Sequence, residues 1–221
     1  MIDLPASTNF GRSIPKARFY ANLEVTPVLR RLFTKQINKI IWQSKIAPST
    51  TNLAPGEKVQ EIQVFLLQLH QRGLDEKVMA LIDRDIPYHI LFLLEYESEQ
   101  QAWIAYKEAN PNKPGSFKAS VYYHTEWLPM NSRRLKLEGL NMDSVYEHLI
   151  RQVAGERLVM SSETEAPQSV KEAIAIDEQR QKLQRQIAAL ERKIQNEKQF
   201  NLQVELSTEL RLLQSELTKL G

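Results

Sequence analysis

The sequence predicts an α+β protein with a mostly antiparallel sheet flanked by helices, followed by a C-terminal coiled coil that is either a hairpin or one long helix. Three observations predict this architecture. Strand-like apolar stretches alternate with segments of helical period, successive strands have short connections, and residues 169–220 contain neither Gly nor Pro. Short connections favour antiparallel pairing, with helices packed on the sheet. We therefore expect a globular domain over 1–158, a linker over 159–168 and a coiled-coil tail over 169–221.

The first periodic element is a predicted helix over residues 26–45. Thr26 is a favourable N-cap, and Pro27 suits the first helical position because its missing N–H has no partner to lose there. The apolar residues that follow recur at helical spacing: Leu29, Phe33, Ile37, Ile40 and Ile41. A stripe with this period is typical of a helix that packs one face on a core. The Pro, Ser and Gly content of 47–58 then predicts a loop.

The middle of the chain predicts the sheet. We expect strands over 61–69, 88–96, 102–107 and 117–127, a short one over 134–140, and helices over 75–85 and 144–153. Residues 117–127 are rich in the β-branched and aromatic side chains that favour strands. Residues 88–96 are apolar on both alternations, which indicates a central strand covered on both faces.

The C-terminal segment begins with a helix signal and carries two apolar ladders. Ser169 and Glu172 have the spacing of a capping box. The ladders step by three and four residues, as Leu183, Ile187, Leu190 and Ile194, and then as Leu206, Leu210, Leu213, Leu217 and Leu220. The twelve residues from Ile194 to Leu206 do not keep the heptad register. The second ladder is therefore rotated by about a third of a turn from the first.

This change of phase leaves two structures open. One is a long helix with a register break, and the other is an antiparallel hairpin that reverses within 195–201. In the hairpin, Asn196 or Asn201 would cap the second helix. Folding back buries both ladders within one chain, which favours the hairpin. In either form the nine ladder residues are the predicted interaction surface, because they need apolar cover from another helix.

Basic residues are concentrated near the N-terminus. Residues 1–45 hold eight Lys or Arg against two acidic residues, a local net charge of +6, whereas 46–165 carry −5. Seven of the basic residues are candidate nucleic-acid contacts: Arg12, Lys16, Arg18, Arg31, Lys35, Lys39 and Lys45. Such clusters attract phosphates, and interspersed aromatic groups stack on unpaired bases. A solvated helix face, or neutralisation by the acidic middle of the chain, would explain the same residues.

The sequence contains no motif that specifies a reaction. It lacks the glycine-rich frames of nucleotide binding and the G-x-S-x-G frame of a hydrolase. Without cysteine it has no disulfides, thiolate metal sites or cysteine nucleophiles. His124 and Glu126 alternate on one predicted strand, yet nothing supplies the third ligand that a metal site needs. We expect no metal, no cofactor and no catalytic residue.

One arrangement of charged residues is similar to part of a metal nuclease. Asp83 and Asp85 precede the central predicted strand, Glu95 and Glu97 end it, and Lys107 ends the next. Nucleases of the PD-(D/E)XK type place two acids and a lysine around Mg²⁺, which stabilises the attacking water and the leaving phosphate. Their acid and lysine are two residues apart on one strand, whereas Glu95 and Lys107 are twelve apart. Ordinary charged strand ends are therefore the favoured interpretation.

The chain shows no signal for a membrane or for secretion. No apolar run approaches the ~20 residues that cross a bilayer. The first residues, MIDLPASTNF, lack the charged and then apolar pattern of a secretory signal. Together with the absence of cysteine, these observations predict a cytoplasmic protein with no membrane partner.

Four segments, taken in order, resemble a known family. They are IDLPASTNFGRSIPKARFY, IIWQSKIAPSTTNL, LIDRDIPYHILFLLEY and LERKIQNEKQFNLQVELSTELRLLQSEL. Over nearly its whole length the chain is similar to the bacterial family of domains of unknown function numbered 4391. The resemblance transfers no catalytic residue, because members have no established activity. It implies a setting beside helicase and DNA-methyltransferase genes, in restriction-like or phage-defence cassettes.

These observations lead to three functional hypotheses. The first is a non-enzymatic interaction subunit that joins a second copy, or a helix of a partner such as a helicase or methyltransferase, through its coiled coil. The second is a nucleic-acid-binding accessory protein that uses the basic N-terminal segment. The third, which the spacing disfavours, is a PD-(D/E)XK-like metal nuclease.

Overall fold

The computed structural model describes residues 2–21, 25–112, 115–132, 134–158 and 169–220, with backbone alone for Tyr20, Ala21 and Asp85. The chain divides into two compact units, Met1–Ala154 and Gly155–Gly221. The predicted linker, 159–168, lies outside the described residues.

The first unit contains a mixed sheet that is antiparallel at all but one pairing. Its strands are β1 (Asn9–Ile14), β2 (Ile37–Ile46), β3 (Ile62–Leu69), β4 (His89–Tyr96), β5 (Glu99–Ala109), β6 (Phe117–His124) and β7 (Leu128–Pro129). They lie side by side in the order of the chain from β1 to β6, and β7 pairs with β5. The exception is the parallel pair β3 and β4. The predicted α+β class and its mostly antiparallel sheet are confirmed.

The helices of the first unit are α1 (Arg18–Ala21), α2 (Pro27–Gln36), α3 (Glu76–Asp85) and α4 (Met142–Ala154). Helix α3 connects β3 to the parallel β4, and the side chain of Asp75 caps it by accepting a hydrogen bond from the Lys77 N–H at 2.8 Å. Strand β4 is buried from His89 to Leu94, so the prediction of a central strand is confirmed.

The predicted helix over 26–45 is correct only in its first half. Thr26 caps α2 as expected, by accepting the Leu29 N–H at 3.2 Å, but the helix ends at Gln36 and β2 follows. Ile37 and Ile40 are both fully buried in the same core, although they are three residues apart in a strand. The register of β2 shifts between 37 and 39, and a bulge adds one residue to the usual alternation of two. The bulge therefore produced the spacing of three that predicted a helix.

The core of the first unit lies on both faces of the sheet. Side chains from α1, α2 and α3, including Phe19, Phe33 and Ile82, pack with Phe92 on one face. Helix α4 packs against β5 and β6. Burying each of these large apolar side chains contributes about 1.5–3 kcal/mol to folding.

The predicted strand over 134–140 is absent. Leu135 forms an isolated bridge with Ile2, and no named strand lies in this stretch. Its backbone groups bind side chains of α4 instead. The Gln152 amide accepts from the Lys136 N–H and donates to the Lys136 carbonyl, each at 2.9 Å. Side-chain partners of this kind compete with a strand ladder for the same backbone groups.

The second unit is a pair of helices, α5 (Val170–Asn196) and α6 (Phe200–Lys219), that pack on each other. Ser169 caps α5 by accepting the Glu172 N–H at 3.2 Å, as predicted. The connection is not capped by Asn196 or Asn201. Instead, the Glu197 carboxylate accepts the N–H groups of the next two residues, at 2.8 and 2.9 Å. Among the described residues, no helix has both the length and the apolar character to cross a membrane.

Candidate interaction surfaces

The ladder on α5 is well covered. Leu183 and Leu190 are each 6% exposed, and Ile187 and Ile194 are half-buried. These four positions lie on one face because their spacing of three and four follows the helical period. The predicted ladder of α5 is thus a shielded face of the second unit.

The ladder on α6 is covered less completely. Leu206, Leu210, Leu213, Leu217 and Leu220 are all half-buried, and no residue of α6 is buried. With Gln203 and Ser207 they are nevertheless the shielded positions of this helix, and its other residues are exposed. The second ladder therefore remains partly exposed to solvent after the short reversal at 197–199.

Helix α6 also carries apolar side chains outside its ladder. Phe200 is 75% exposed, Val204 50% and Leu212 64%. Phe200 and Val204 are four residues apart, which places them next to each other on the helix surface. Single exposed apolar residues are common, but neighbouring ones beside a half-covered ladder are typical of a surface that binds another protein.

The seven predicted nucleic-acid contacts are spread over several elements. Lys16 precedes α1 and donates to the Ile37 carbonyl at 2.8 Å. The Lys45 ammonium on β2 is 2.6 Å from the Glu61 carboxylate. The Arg12 guanidinium on β1 lies 4.5 Å from the centre of the Phe10 ring. Three of the seven side chains are therefore engaged within the first unit.

The other four basic residues are exposed. Arg18 begins α1, Lys39 lies on β2, and Arg31 and Lys35 lie one turn apart on α2. The last two border a shallow groove together with Arg30 and Thr34. Of the seven predicted contacts, Arg31 and Lys35 are the two that lie side by side on one helix.

Asp83 and Lys107, two of the residues weighed for a nuclease site, form a buried ion pair. The Lys107 ammonium lies 2.7 Å from Asp83 Oδ1, and both side chains are at most 4% exposed. The ammonium also donates to the Tyr88 carbonyl at 2.6 Å, and the Tyr122 hydroxyl donates to Asp83 Oδ2 at 2.8 Å. These contacts tie the end of α3 and the start of β4 to β5 and β6. Both charges are candidates in the sequence, but the spacing considered there is that of Lys107 to Glu95, and the buried pair with Asp83 is not predicted.

Burial governs the titration of this network. Burial raises the pKa of Asp83 above its usual value, while Lys107 and the Tyr122 hydrogen bond oppose the rise. Burial likewise lowers the pKa of Lys107, and Asp83 opposes that change. Nearby, burial and then the Lys107 charge lower the pKa of His89 to about 4. These shifts come from enclosure in the core rather than from an open cleft.

The remaining acid and histidine candidates do not converge. Glu95 accepts amide hydrogen bonds from Gln68 and Gln100, at 3.1 and 2.9 Å. Glu97 follows β4, in the turn before β5, and His124 lies 3.3 Å from the Gln101 amide. The Asp85 side chain lies outside the described part of the structure. Among the described residues, no three His, Asp or Glu side chains are grouped closely enough to hold a metal ion.

A cleft that the sequence did not predict lies beside β2 and β3. Its volume is about 280 Å³, and its walls include Phe19, Trp42, Phe65 and Tyr88. Trp42 and Phe65 face each other across the two strands, with ring centres 6.1 Å apart and planes inclined by 21°. The aromatic content of these segments was visible in the sequence, but their meeting depends on strand pairing.

The charged and amide residues of this cleft come from α1, from β2, and from β3 and the residue before it. They are Arg18, Lys45, Glu61 and Gln63. Gln63 is 2% exposed, and its amide nitrogen donates to Glu61 Oε2 at 2.9 Å. The indole nitrogen of Trp42 and the amide oxygen of Gln63 are both buried and without a hydrogen-bond partner.

Comparison with known proteins assigns the chain to a family without an assigned activity. The profile described as "Domain of unknown function (DUF4391)" matches residues 2–217. No curated protein and no solved structure matches the chain. Since the match covers both units nearly completely, the chain belongs to the DUF4391 family, as the four sequence segments predicted.

Proposed function

We propose that this protein is a non-enzymatic interaction subunit that assembles through a coiled coil formed by its C-terminal helices. The observation that carries the proposal is the state of α6, which bears four ladder leucines, with Leu220 directly after it, and has no buried residue. Covering a leucine fully is worth about 1.5–3 kcal/mol relative to leaving it exposed, so a second surface along this ladder would be strongly favoured.

The preferred partner is a second copy of the chain. Two hairpins with half-covered ladders would cover each other by forming a helical bundle, in which ladder side chains interdigitate. Such an interface is self-complementary when a two-fold axis relates the copies. The alternative occupant is an apolar helix of a larger protein, and the family setting favours a helicase or DNA methyltransferase of a restriction-like or phage-defence system. The proposed site of action is the cytoplasm.

The non-enzymatic part of the proposal has its own support. Asp83 and Lys107, whose pKa values burial shifts, are enclosed in the core and bound to each other. Perturbed groups that catalyse reactions usually face a cleft that substrate can enter. A structural network explains the shifts in this protein.

Mass measurement by light scattering on the full chain tests self-association directly. The chain should have at least twice its monomer mass, and Leu210→Glu with Leu217→Glu should return it to the monomer. The matched control is Thr208→Glu with Ser215→Glu, which adds the same charges at the same spacing on exposed positions. Circular dichroism should show that both variants remain helical.

Two results would count against self-association. One is a monomeric mass for the unmodified chain across the accessible concentration range. The other is an equal loss of mass in the ladder variant and the control. A monomer that binds a helicase or methyltransferase with the same dependence on Leu210 and Leu217 would favour the larger partner.

A second candidate function is nucleic-acid binding, supported by the exposed pair Arg31 and Lys35 on α2. Binding through phosphates should weaken steeply as salt rises, because each neutralised phosphate releases counterions. Arg31→Glu with Lys35→Glu should abolish it in a fluorescence-polarisation assay. Lys182→Glu with Lys193→Glu makes the same change of charge on exposed positions of α5 and should leave it intact. Absent binding, or binding that does not respond to salt, would reject this candidate.

A further inference from the structure

Two residues that line the cleft beside β2 and β3, Trp42 and Gln63, each have a buried polar atom without a hydrogen-bond partner. Trp42 Nε1–H donates, Gln63 Oε1 accepts, and both are buried without a partner. Most buried polar groups in proteins are hydrogen-bonded, so each unmatched one requires an explanation. Neighbouring atoms cover both polar atoms in this structure. A ligand that presents both an acceptor and a donor would match this pair of atoms.

The volume and the aromatic lining of the cleft suit a flat ring. The volume of about 280 Å³ is close to the lower end of the range for small-molecule sites. Four of its lining residues are aromatic, and of these Trp42 is half-buried and Tyr88 is 40% exposed. A nucleobase has a face that stacks on aromatic side chains, and its edge carries hydrogen-bond donors and acceptors side by side.

The charges around the cleft favour an anionic substituent on that ring. Lys45 and Glu61 form an ion pair, and so contribute no net charge together. Arg18 is exposed and borders the same cleft. A guanidinium in this position suits a phosphate, which it binds through charge-assisted hydrogen bonds.

We infer that this cleft binds a nucleobase that carries a phosphate. The Trp42 indole donates to a ring acceptor, the Gln63 amide oxygen accepts from a ring donor, and Arg18 binds the phosphate. Because the two polar atoms are covered in this structure, the ring enters as the bordering side chains shift. A free mononucleotide and the terminal nucleotide of a single strand share this chemistry. Every residue involved belongs to the first unit, so the inference does not rest on assembly through α5 and α6.

The experiment begins with the unmodified full chain. The ¹⁵N–¹H spectrum shows one indole signal for each of the three tryptophans, Trp42, Trp103 and Trp127. The Trp42→Phe variant identifies the Trp42 signal by its loss. Titration with the common ribonucleoside monophosphates should shift that signal in a saturable way. Inorganic phosphate alone should not reproduce the shift.

Matched glutamine variants then test the contact. Gln100 resembles Gln63, since its amide nitrogen donates to a carboxylate at 2.9 Å and its oxygen is buried and unpartnered, but it does not line the cleft. By calorimetry, Gln63→Leu should weaken nucleotide binding by about tenfold or more, and Gln100→Leu by less than about twofold. Arg18→Ala should reduce the preference for a monophosphate over its nucleoside.

Three outcomes would overturn the inference. They are no saturable shift of the Trp42 signal at millimolar nucleotide, the same shift with phosphate alone, and equal losses in the two glutamine variants. If Trp42→Phe fails to fold, Trp103→Phe and Trp127→Phe identify the Trp42 signal by elimination, and the unmodified chain still decides the question. Tighter binding of a 5′-phosphorylated single strand than of the matching mononucleotide would assign the site to a strand end. Equal or weaker binding would assign it to the free nucleotide.

Discussion

Two kinds of group in this chain need a partner: the buried charges of the first unit and the ladder leucines of α6. The charges have partners within their own unit, whereas the leucines are covered only in part. Asp83 and Lys107 are at most 4% exposed, and each binds its counter-ion as well as a second polar group. The α6 ladder is only partly buried along its whole length. The first unit thus pairs these buried charges internally, whereas the second leaves apolar side chains such as Phe200 and Leu212 exposed. The difference indicates where stability and where association should respond to mutation.

Removing one member of the buried ion pair should have the largest effect. Lys107→Met leaves Asp83 enclosed without its counter-charge, which typically costs about 3–5 kcal/mol. We expect this loss in the urea-unfolding free energy of the first unit, measured by tryptophan fluorescence. Adding Asp83→Asn should restore part of it, because the unpaired charge is then gone.

The control for this variant is Lys136→Met. Lys136 lies 3.8 Å from Glu138 in a pair whose side chains are 75% and 55% exposed. Exposed pairs contribute about 0–1 kcal/mol. Similar losses of unfolding free energy from Lys107→Met and Lys136→Met would show that burial does not raise the cost of breaking the Asp83–Lys107 pair.

Acid should destabilise the first unit through His89, an effect of intermediate size. Burial, helped by Lys107, lowers the folded-state pKa of His89 from 6.5 to about 4. Between those values the unfolded chain takes up a proton that the folded chain does not, so the free energy of unfolding falls as pH decreases. Above pH 6.5 this contribution is fully present, and its loss by pH 4 amounts to about 3 kcal/mol.

Urea unfolding across this pH window measures the effect. His89→Phe should flatten the pH dependence, and His70→Gln, at an exposed histidine, should leave it unchanged. A His89→Phe variant with the full original slope would contradict the assignment to His89.

The smallest effect should come from the cap of α5. Ser169→Ala removes the hydroxyl that accepts the Glu172 N–H and should cost about 1 kcal/mol of helix stability. Thermal unfolding followed by far-ultraviolet circular dichroism measures this change. Tryptophan fluorescence should stay constant, because all three tryptophans are in the first unit. A change in both signals of equal size would show that the two units unfold together.

Local signals in the sequence predicted much of the fold. The caps at Thr26 and Ser169 both form, and the reversal of the tail lies within the predicted stretch 195–201. Each of these features depends on residues close in sequence, which is why a single chain is enough to predict them. The coiled-coil assembly itself stays a prediction.

Non-local contacts explain what sequence reasoning missed. The bulge in β2 depends on its pairing with β3, and the stretch 134–140 gives its backbone hydrogen bonds to α4. The partner of Lys107 is 24 residues away in sequence, and the aromatic cleft forms only when β2 and β3 pair. No local sequence pattern encodes these long-range contacts. An isolated glutamine at an inward position of a strand, such as Gln63, does indicate a buried polar side chain.

The tight reversal between α5 and α6 constrains how this tail can change in length. Each residue added within a helix turns everything after it by about 100°, so one inserted alanine before Leu206 would swing the later leucines away from α5. Seven residues added to each helix would return the leucines almost to their original direction. We therefore expect the tails of relatives to differ in length by about two helical turns in both helices at once.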